Sequence, residues 1–204
     1  VLIDAIGVVL AVFLEHPFLT ILVLLALEVP RYIFSTLFMG LLLAKSDASK
    51  SVARRSVSAI IPVLNGADEL AINIKSLVNQ SQKLHEIIIV DDGSGDLDRE
   101  KIAALASQHD NIRLIQHRQR AGKSASVNHA AYMATGQLLL VVDHDTWLHP
   151  NAVENLSQAF NDPSVGMASG NLLVSNRQRN PITSIQSLEY MLSITIGRGF
   201  LNYI

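Results

Sequence analysis

The sequence predicts an α/β domain built on a largely parallel sheet and preceded by a transmembrane helix or helices. Three observations carry that prediction. From about residue 58 onward, short β-branched runs alternate with helix-length amphipathic stretches, the pattern of an α/β layer fold. Three of those runs end in acidic or polar turns, Asn65-Gly66, Asp91-Asp92-Gly93 and Asp143-His144-Asp145. In a parallel sheet all three fall on one edge, the edge where open α/β sheets bind ligands. Finally, residues 1–44 hold most of the excess apolarity of a 204-residue chain that is 49% hydrophobic overall. The expected organisation is a transmembrane part over 1–44, a basic linker over 45–57, and a domain over 58–204 that is incomplete at its C-terminus.

As a helix, residues 18–44 measure about 40 Å, more than the ~30 Å hydrocarbon core of a bilayer. Glu28 and Arg31 lie near the middle and each costs about 2.5–3.5 kcal/mol at the bilayer centre. Spaced i,i+3, they pair on one face, and the surrounding Leu, Ile, Val, Phe and Met residues outweigh them. Residues 5–14 form a second apolar run, too short to span alone, so the number of spans stays open. Lys45, Lys50, Arg54 and Arg55 then follow against a single acid, Asp47. Positive residues flanking a span mark its cytoplasmic side, which places the chain in the plasma (inner) membrane with its folded domain cytoplasmic. Ser46, Ser49, Ser51 and Ser56 suit a solvated linker as well. The chain opens at Val1 inside an apolar run and stops in Phe200-Leu201-Asn202-Tyr203-Ile204; the expectation is a piece of a longer protein. Cysteine is absent and the net charge is −2. The first excludes disulfides and thiolate metal sites. The second gives no basic signal for nucleic acid.

Ser58–Val63 reads as the first strand, ended by Leu64-Asn65-Gly66. The helix after it shows Leu70, Ile72, Ile74, Leu77 and Val78 on its apolar side. His85–Val90 is the clearest strand, closed by a turn through Gly93 and Gly95 that no strand continues through. Residues 97–107 read as a helix with Leu97, Ile102 and Leu105 inward, and 112–115 as a third strand. Gly122–Thr135 is an Ala-rich helix stopped by Gly136. Leu138–Val142 is five apolar residues in a row, the signature of a short buried strand. Pro150 starts a helix through about Phe160, residues 165–174 are extended, and residues 182–196 form a last amphipathic helix.

Two carboxylates stand where the strand from Leu138 ends. Residues i and i+2 of an extended chain point the same way, about 6.6 Å apart, so Asp143 and Asp145 can share one divalent cation. Oxygen ligands suit Mg²⁺ or Mn²⁺, the remaining positions going to water and a phosphate. An Asp-rich turn is the plainer reading of those residues alone. Asp91-Asp92 combines turn chemistry with the capacity to hydrogen-bond a base or ribose. Ala121-Gly122-Lys123-Ser124 invites comparison with a phosphate loop, but that loop needs a glycine where His117 stands. Lys123 still sits at a helix N-terminus, where dipole and side chain both favour an anion. His144, between the two acids, is expected to face away from them.

Taken in order, Ile60-Ile61-Pro62-Val63-Leu64-Asn65, Ile89-Val90-Asp91-Asp92-Gly93-Ser94, Gly122-Lys123 with Asn128, and Asp143-His144-Asp145-Thr146 with Pro150 resemble family 2 glycosyltransferases of the GT-A fold. The apolar front, Gly170-Asn171 and Gln186-x-x-Glu189-Tyr190 are similar to the processive membrane subgroup that makes hyaluronan, chitin or poly-N-acetylglucosamine. The resemblance implies an inverting enzyme that moves a sugar from a UDP-sugar donor to a polysaccharide or lipid-linked acceptor. It implies a uracil contact from the Asp91-Asp92 pair, Asp92 above all, and a place for Lys123 at the nucleotide. Asp143 is implied at the donor as well, and Asp143 and Asp145 would hold Mn²⁺ or Mg²⁺ against the diphosphate. Two departures stand out. Leu64 occupies a position often held by Tyr. No Glu-Asp dipeptide occurs in the chain, so the general base is expected beyond Ile204 and this half alone is expected to be inactive. A single-sugar transferase acting on a lipid acceptor, and a non-catalytic sugar-nucleotide-binding membrane module, share the same donor motifs.

Overall fold

The computed structural model describes residues 54–190 together with positions 15–19, 21–23, 25–26, 29–30, 33–34 and 37. The chain divides into two units, one of Lys50–Gly170 and one of Val1–Ser49 with Asn171–Ile204. At the centre of the first is a parallel sheet in the order β3-β2-β1-β4, where β1 is Val57–Val63, β2 Glu86–Asp91, β3 Ile112–Gln116 and β4 Leu138–Val141. Helices α1 (Ala67–Val78), α2 (Asp96–Ala106), α3 (Lys123–Met133) and α4 (Ala152–Ala159) belong to the same unit, and α5 (Pro181–Tyr190) to the other. The α/β architecture with a parallel sheet is therefore as the sequence predicts.

β1 and β2 are buried at every position, because both faces of the sheet are covered there. Ala59, Ile61, Val63, Ile87 and Ile89 pack with Leu70, Ile74 and Leu77 of α1, Ile102 of α2 and Val153 of α4. On the opposite face Ile60, Ile88 and Val90 meet Ala130 of α3. Each fully buried Ile or Leu contributes about 1.5–3 kcal/mol, so the two central strands hold much of the unit's stability. α3 presents Ser126 and Ala130 to the sheet, both 0% exposed. At i,i+4 these small side chains share a face and admit the helix close to the strands.

Several sequence expectations need correction. Ile72 is 61% exposed, while Asn73 beside it is 1% exposed. The buried face of α1 runs Leu70, Asn73, Ile74, Leu77, an i, i+3, i+4, i+7 stripe that leaves position 72 outside. Leu97 is 80% exposed; Ile102, as expected, is buried with Ala106, and Leu105 packs partly buried against the same core. β4 is not a fully buried strand. Among the described residues it pairs only with β1, and α3 packs on the residues of β1 and β2, so Leu139 and Val141 remain about half exposed. Residues 165–174 carry no strand.

The expected membrane span over 18–44 lies mostly outside the described residues. Described positions between 15 and 37 are helical apart from His16, and Phe18 and Phe34 among them are exposed. Among the described residues no helix is long and apolar enough to cross a membrane.

At the carboxyl edge the turns are tied to one another. The Asn65 N–H donates to Ser94 Oγ at 3.0 Å and the Gly95 N–H to Asn65 Oδ1 at 2.9 Å. Asn65 adopts φ 52° and Gly93 φ 87°, conformations that Asn tolerates and Gly favours. A Cβ on Gly93 would also meet the Arg120 nitrogen at 3.0 Å, so the glycine lets the β3–α3 loop lie against this turn.

Candidate functional site

The strand order reverses direction at β1: the chain steps outward through β2 to β3, then returns to β4 on the other side. Crevices at such a switch point are where open α/β sheets take ligands. A cleft of about 260 Å³ opens there. Pro62, Val63 and Leu64 line it from the end of β1, and Asp92 from the end of β2. Arg120 and Lys123 reach it from the β3–α3 loop and the first turn of α3, and Asp143, His144 and Asp145 from the end of β4. Enclosed sites for drug-sized ligands span about 300–1,000 Å³, so these residues make one wall of a site.

Of the sequence-predicted residues, Asp92, Lys123, Asp143 and Asp145 meet in the cleft. Asp91 does not. It is 0% exposed and turned into the body of the domain. There it accepts from the Ser94 N–H at 2.9 Å, Arg99 Nε at 3.3 Å and Gln116 Nε2 at 3.4 Å. Strand alternation separates the neighbours: Asp91 points to the side of α2, Asp92 to the side of α3.

Asp92 anchors the loop that delivers Lys123. Its carboxylate accepts from the Ala121 N–H at 2.9 Å and the Gly122 N–H at 2.8 Å. His117 Nδ1 lies 2.9 Å from Oδ1. Burial acts to raise the Asp92 pKa, but the bonds from His117, Ala121 and Gly122 outweigh it and hold the carboxyl at about 2. An ionised Asp92 accepts only, so His117 Nδ1 carries the proton. Its Nε2 lies 3.1 Å from His129 Nδ1. Gly122 precedes α3 with φ 95°, the conformation that turns the loop into the helix.

Lys123 Nζ is ion-paired with Asp143 Oδ1. Both side chains are more than half exposed, and an ion pair so open to water contributes about 0–1 kcal/mol. It exchanges easily for another partner. Asp145 and Arg120 are exposed, with no ion-pair partner among the described residues. Asp143 and Asp145 are joined through a turn, in which the Thr146 N–H donates to the Asp143 carbonyl at 3.0 Å. The chain has left the extended conformation by this point. That is why His144 lines the same cleft as its acidic neighbours instead of facing away; its ring lies against Gly66, where a Cβ would collide with it.

Among the described residues no group of three or more His, Cys, Asp or Glu side chains is placed to hold a metal. Asp143 and Asp145 alone supply two carboxylates. The donor set nevertheless fits a hard divalent cation that takes its remaining ligands from water and a phosphate-bearing substrate. Lys123 then competes with the cation for Asp143.

Two contributors were not singled out by the sequence patterns. Arg120 belongs to a basic run, Arg118, Arg120 and Lys123, directly before α3; a cation cluster at a helix N-terminus was the available signal. Asn73 reaches the Asp143 turn from α1, its Nδ2 donating to the Asp143 carbonyl at 2.9 Å and to that of Thr146. An amide three residues after Leu70, in phase with the core stripe, was its signal.

Fold and cleft together define an α/β protein with a polar, charged crevice at the switch point of its parallel sheet. The chain belongs to Glycosyl transferase family 2, whose sequence profile matches residues 58–202. It is 36% identical over 149 residues to a hyaluronan synthase of Streptococcus pyogenes, covering 70% of this chain and 36% of that protein. It is 34% identical over 165 residues to an N-acetylglucosaminyltransferase of Rhizobium sp. (strain N33), covering 76% and 35% respectively. The chain thus spans about a third of the length of these relatives. Among solved structures, a mannosyltransferase from Pyrobaculum calidifontis in complex with GDP-Man and Mn²⁺ matches with a TM-score of 0.52. That match has 22% identity and covers 70% of this chain and 43% of the other, a likeness of fold.

Proposed function

We propose that the whole protein transfers a sugar, with inversion, from a UDP-sugar to a growing polysaccharide at a membrane, and that this chain carries its donor- and metal-binding half. One observation carries the reading. Two carboxylates, Asp143 and Asp145, and two cations, Lys123 and Arg120, converge in the crevice at the β1/β4 switch point. Family membership and the relatives named above support the reaction class. The apolar front and the basic residues from Lys45 to Arg55 support anchoring, with the domain on the cytoplasmic side.

Asp143 and Asp145 hold Mn²⁺ or Mg²⁺, which, when bound, offsets the charge that develops on the departing diphosphate. Lys123 leaves Asp143 and turns to the phosphates, helped by the positive end of α3. Asp92 keeps the Lys123 loop in place and is the carboxylate nearest a bound base, whereas Asp91 secures the turn beneath it. Leu64, at the mouth of β1, offers the base an apolar contact. Arg120 gives a second cation to the nucleotide. In the transfer step an acceptor hydroxyl oxygen forms the new bond to the anomeric carbon as the carbon–oxygen bond to UDP breaks. UDP leaves with the electron pair. The carboxylates of the cleft are all engaged on the donor side, so the hydroxyl's proton passes to a base elsewhere in the whole protein.

Titration of UDP into the protein with and without Mn²⁺, repeated with Asp145→Asn, tests the reading. Expected is at least a tenfold loss of UDP affinity on removing either the metal or the carboxylate. Equal affinity in all arms overturns the metal assignment.

A further inference from the structure

We infer that Asn73 is a positioning residue for the metal-binding carboxylates, the first member of a polar rail along α1 and the turn after it that sets the path of the Asp143–Val153 backbone. The inference rests on the reading of Asp143 and Asp145 as the cation site. Asn73 and Gln80 are each 1% exposed, and both sit among apolar neighbours that cover the α1 side of the sheet. Burying an amide there costs about 1–3 kcal/mol unless its polar atoms are bonded. Here the bonds go almost entirely to one loop. Asn73 Nδ2 donates to the carbonyls of Asp143 and Thr146. Ser76 Oγ accepts from the Leu148 N–H at 3.0 Å. Gln80 donates to the His149 carbonyl at 2.9 Å, and its Oε1 accepts from the Val153 N–H at 3.1 Å. The Ser81 N–H donates to the Pro150 carbonyl at 2.8 Å.

Residues 73 and 76 share one face of α1 at i, i+3, and Gln80 and Ser81 follow directly after the helix ends at Val78. The helix and the turn that leaves it therefore hold, at close intervals, a segment that between β4 and α4 has only turns of its own. The groups of that segment that the rail bonds all belong to its main chain, so the rail holds its path whatever side chains it carries. The contact at Asn73 matters most to the site. Its two acceptors bracket His144 and Asp145, which fixes the turn that sets one carboxylate against the other. The stability gained is incomplete, because Asn73 Oδ1 is buried without a hydrogen-bond partner. A leucine of similar size would bury more favourably at this place in the core. An amide retained there serves the loop more than the fold.

The test is UDP binding to the intact protein, with and without Mn²⁺, for the wild type and Asn73→Leu, together with their melting temperatures. Expected is a loss of about tenfold in the Mn²⁺-dependent part of the affinity, with metal-free UDP binding unchanged and the melting temperature retained or raised. Metal-dependent affinity equal to wild type in a folded Asn73→Leu overturns the positioning role and leaves the site reading intact. A parallel loss with and without metal overturns it too, since that marks a general structural role. A wild type that binds UDP without regard to Mn²⁺ overturns both. Should Asn73→Leu fail to fold, Ser76→Ala removes the bond from the Leu148 N–H, together with the hydroxyl's own bond to the Asn73 carbonyl within α1. It is expected to lower the metal-dependent part about threefold, and an unchanged value overturns the rail.

Discussion

The two ends of the sheet both gather carboxylates, and Glu86 at one is treated in the opposite way to Asp143 and Asp145 at the other. At the amino edge Glu86 opens β2, 5% exposed. It accepts from Ser58 Oγ at 2.8 Å, from the Thr135 N–H and Oγ1 at 2.7 Å each, and from Arg113 Nη1 at 2.9 Å. At the carboxyl edge Asp143 and Asp145 are exposed, and only Asp143 has a partner, a lysine open to water. A carboxylate whose lone pairs are filled by its own chain is structural. One left exposed in a crevice, beside cations, is available to something else. Satisfaction of hydrogen-bonding capacity separates Glu86 from the Asp143–Asp145 pair more sharply than charge does, and Asp91 and Asp92, buried and bonded at the carboxyl edge, fall with Glu86.

The largest break in that contrast is expected from Glu86→Ala. It strands the Thr135 N–H and uncouples Arg113 at once, and losing a buried ion-pair partner costs about 3–5 kcal/mol. Arg113 is 42% exposed and regains some water, so about 3–4 kcal/mol is expected in chemical denaturation. UDP affinity of the folded fraction should not move. A matching loss of affinity would show that the two ends are coupled.

Acid probes the buried carboxylates of both ends. Burial pushes the Glu86 pKa up, but the bonds from Thr135, Ser58 and Arg113 pull it further down, to about 2 against an ordinary 4.5. Asp92 behaves alike, about 2 against 3.8. Both folded pKa values lie below the unfolded ones, so their contributions are complete above about pH 4.5 and fade as pH falls toward 2. For Glu86 this amounts to roughly 2–3 kcal/mol. Denaturation midpoints measured between pH 6 and pH 2 should fall in that window, and Glu86→Gln should flatten the larger part of the slope, Asp92 carrying the rest. A slope undiminished by the substitution places the titrating group elsewhere.

The two ends also differ in how readable they were from sequence. Strands β1 and β2 announce themselves as continuous apolar runs because both faces are covered, and the parallel order puts the three polar turns on one edge as the pattern implies. β4 reads the same way but stands at the edge, since a run of Leu and Val carries no mark of how many neighbours the strand will find. Asp143 and Asp145 were legible as types and as neighbours, but strand alternation was the wrong geometry for them, and His144 joined the cleft through a turn no periodicity encodes. Asp91 and Asp92 look equivalent as letters; only the pleat decides which one reaches the crevice. Asn73 was hidden because helix patterns are scored by apolar residues, and its partners are main-chain atoms seventy residues away.

Gly66→Ala probes the open end more gently. The added Cβ collides with the His144 ring, which must move and take the Asp143–Asp145 turn with it. The ring can rotate toward solvent, so a loss of threefold to tenfold in Mn²⁺-dependent UDP affinity is expected, with stability changed by less than about 1.5 kcal/mol. His144→Ala in the same background removes the clash and should restore most of the affinity. Failure to rescue would place the effect of Gly66 in the backbone of its own turn.

The smallest effect is expected from an ion pair at neither end. Lys101 Nζ and Asp68 Oδ1 stand 3.1 Å apart between α2 and α1, with side chains 59% and 84% exposed. Its geometry matches that of Glu86 with Arg113, where the separation is 2.9 Å. Distance therefore does not distinguish the two pairs; hydration does. Water already solvates both partners of the exposed pair, and the side-chain entropy lost in holding it cancels most of the attraction. Lys101→Ala should change stability by less than about 0.5 kcal/mol, and 0.5 M salt should remove what remains, because screening acts on exposed charges first. The Glu86 contribution should persist in the same salt. If Lys101→Ala instead costs as much as Glu86→Ala, burial is not what makes the amino edge structural, and the distinction between the two ends of the sheet loses its physical basis.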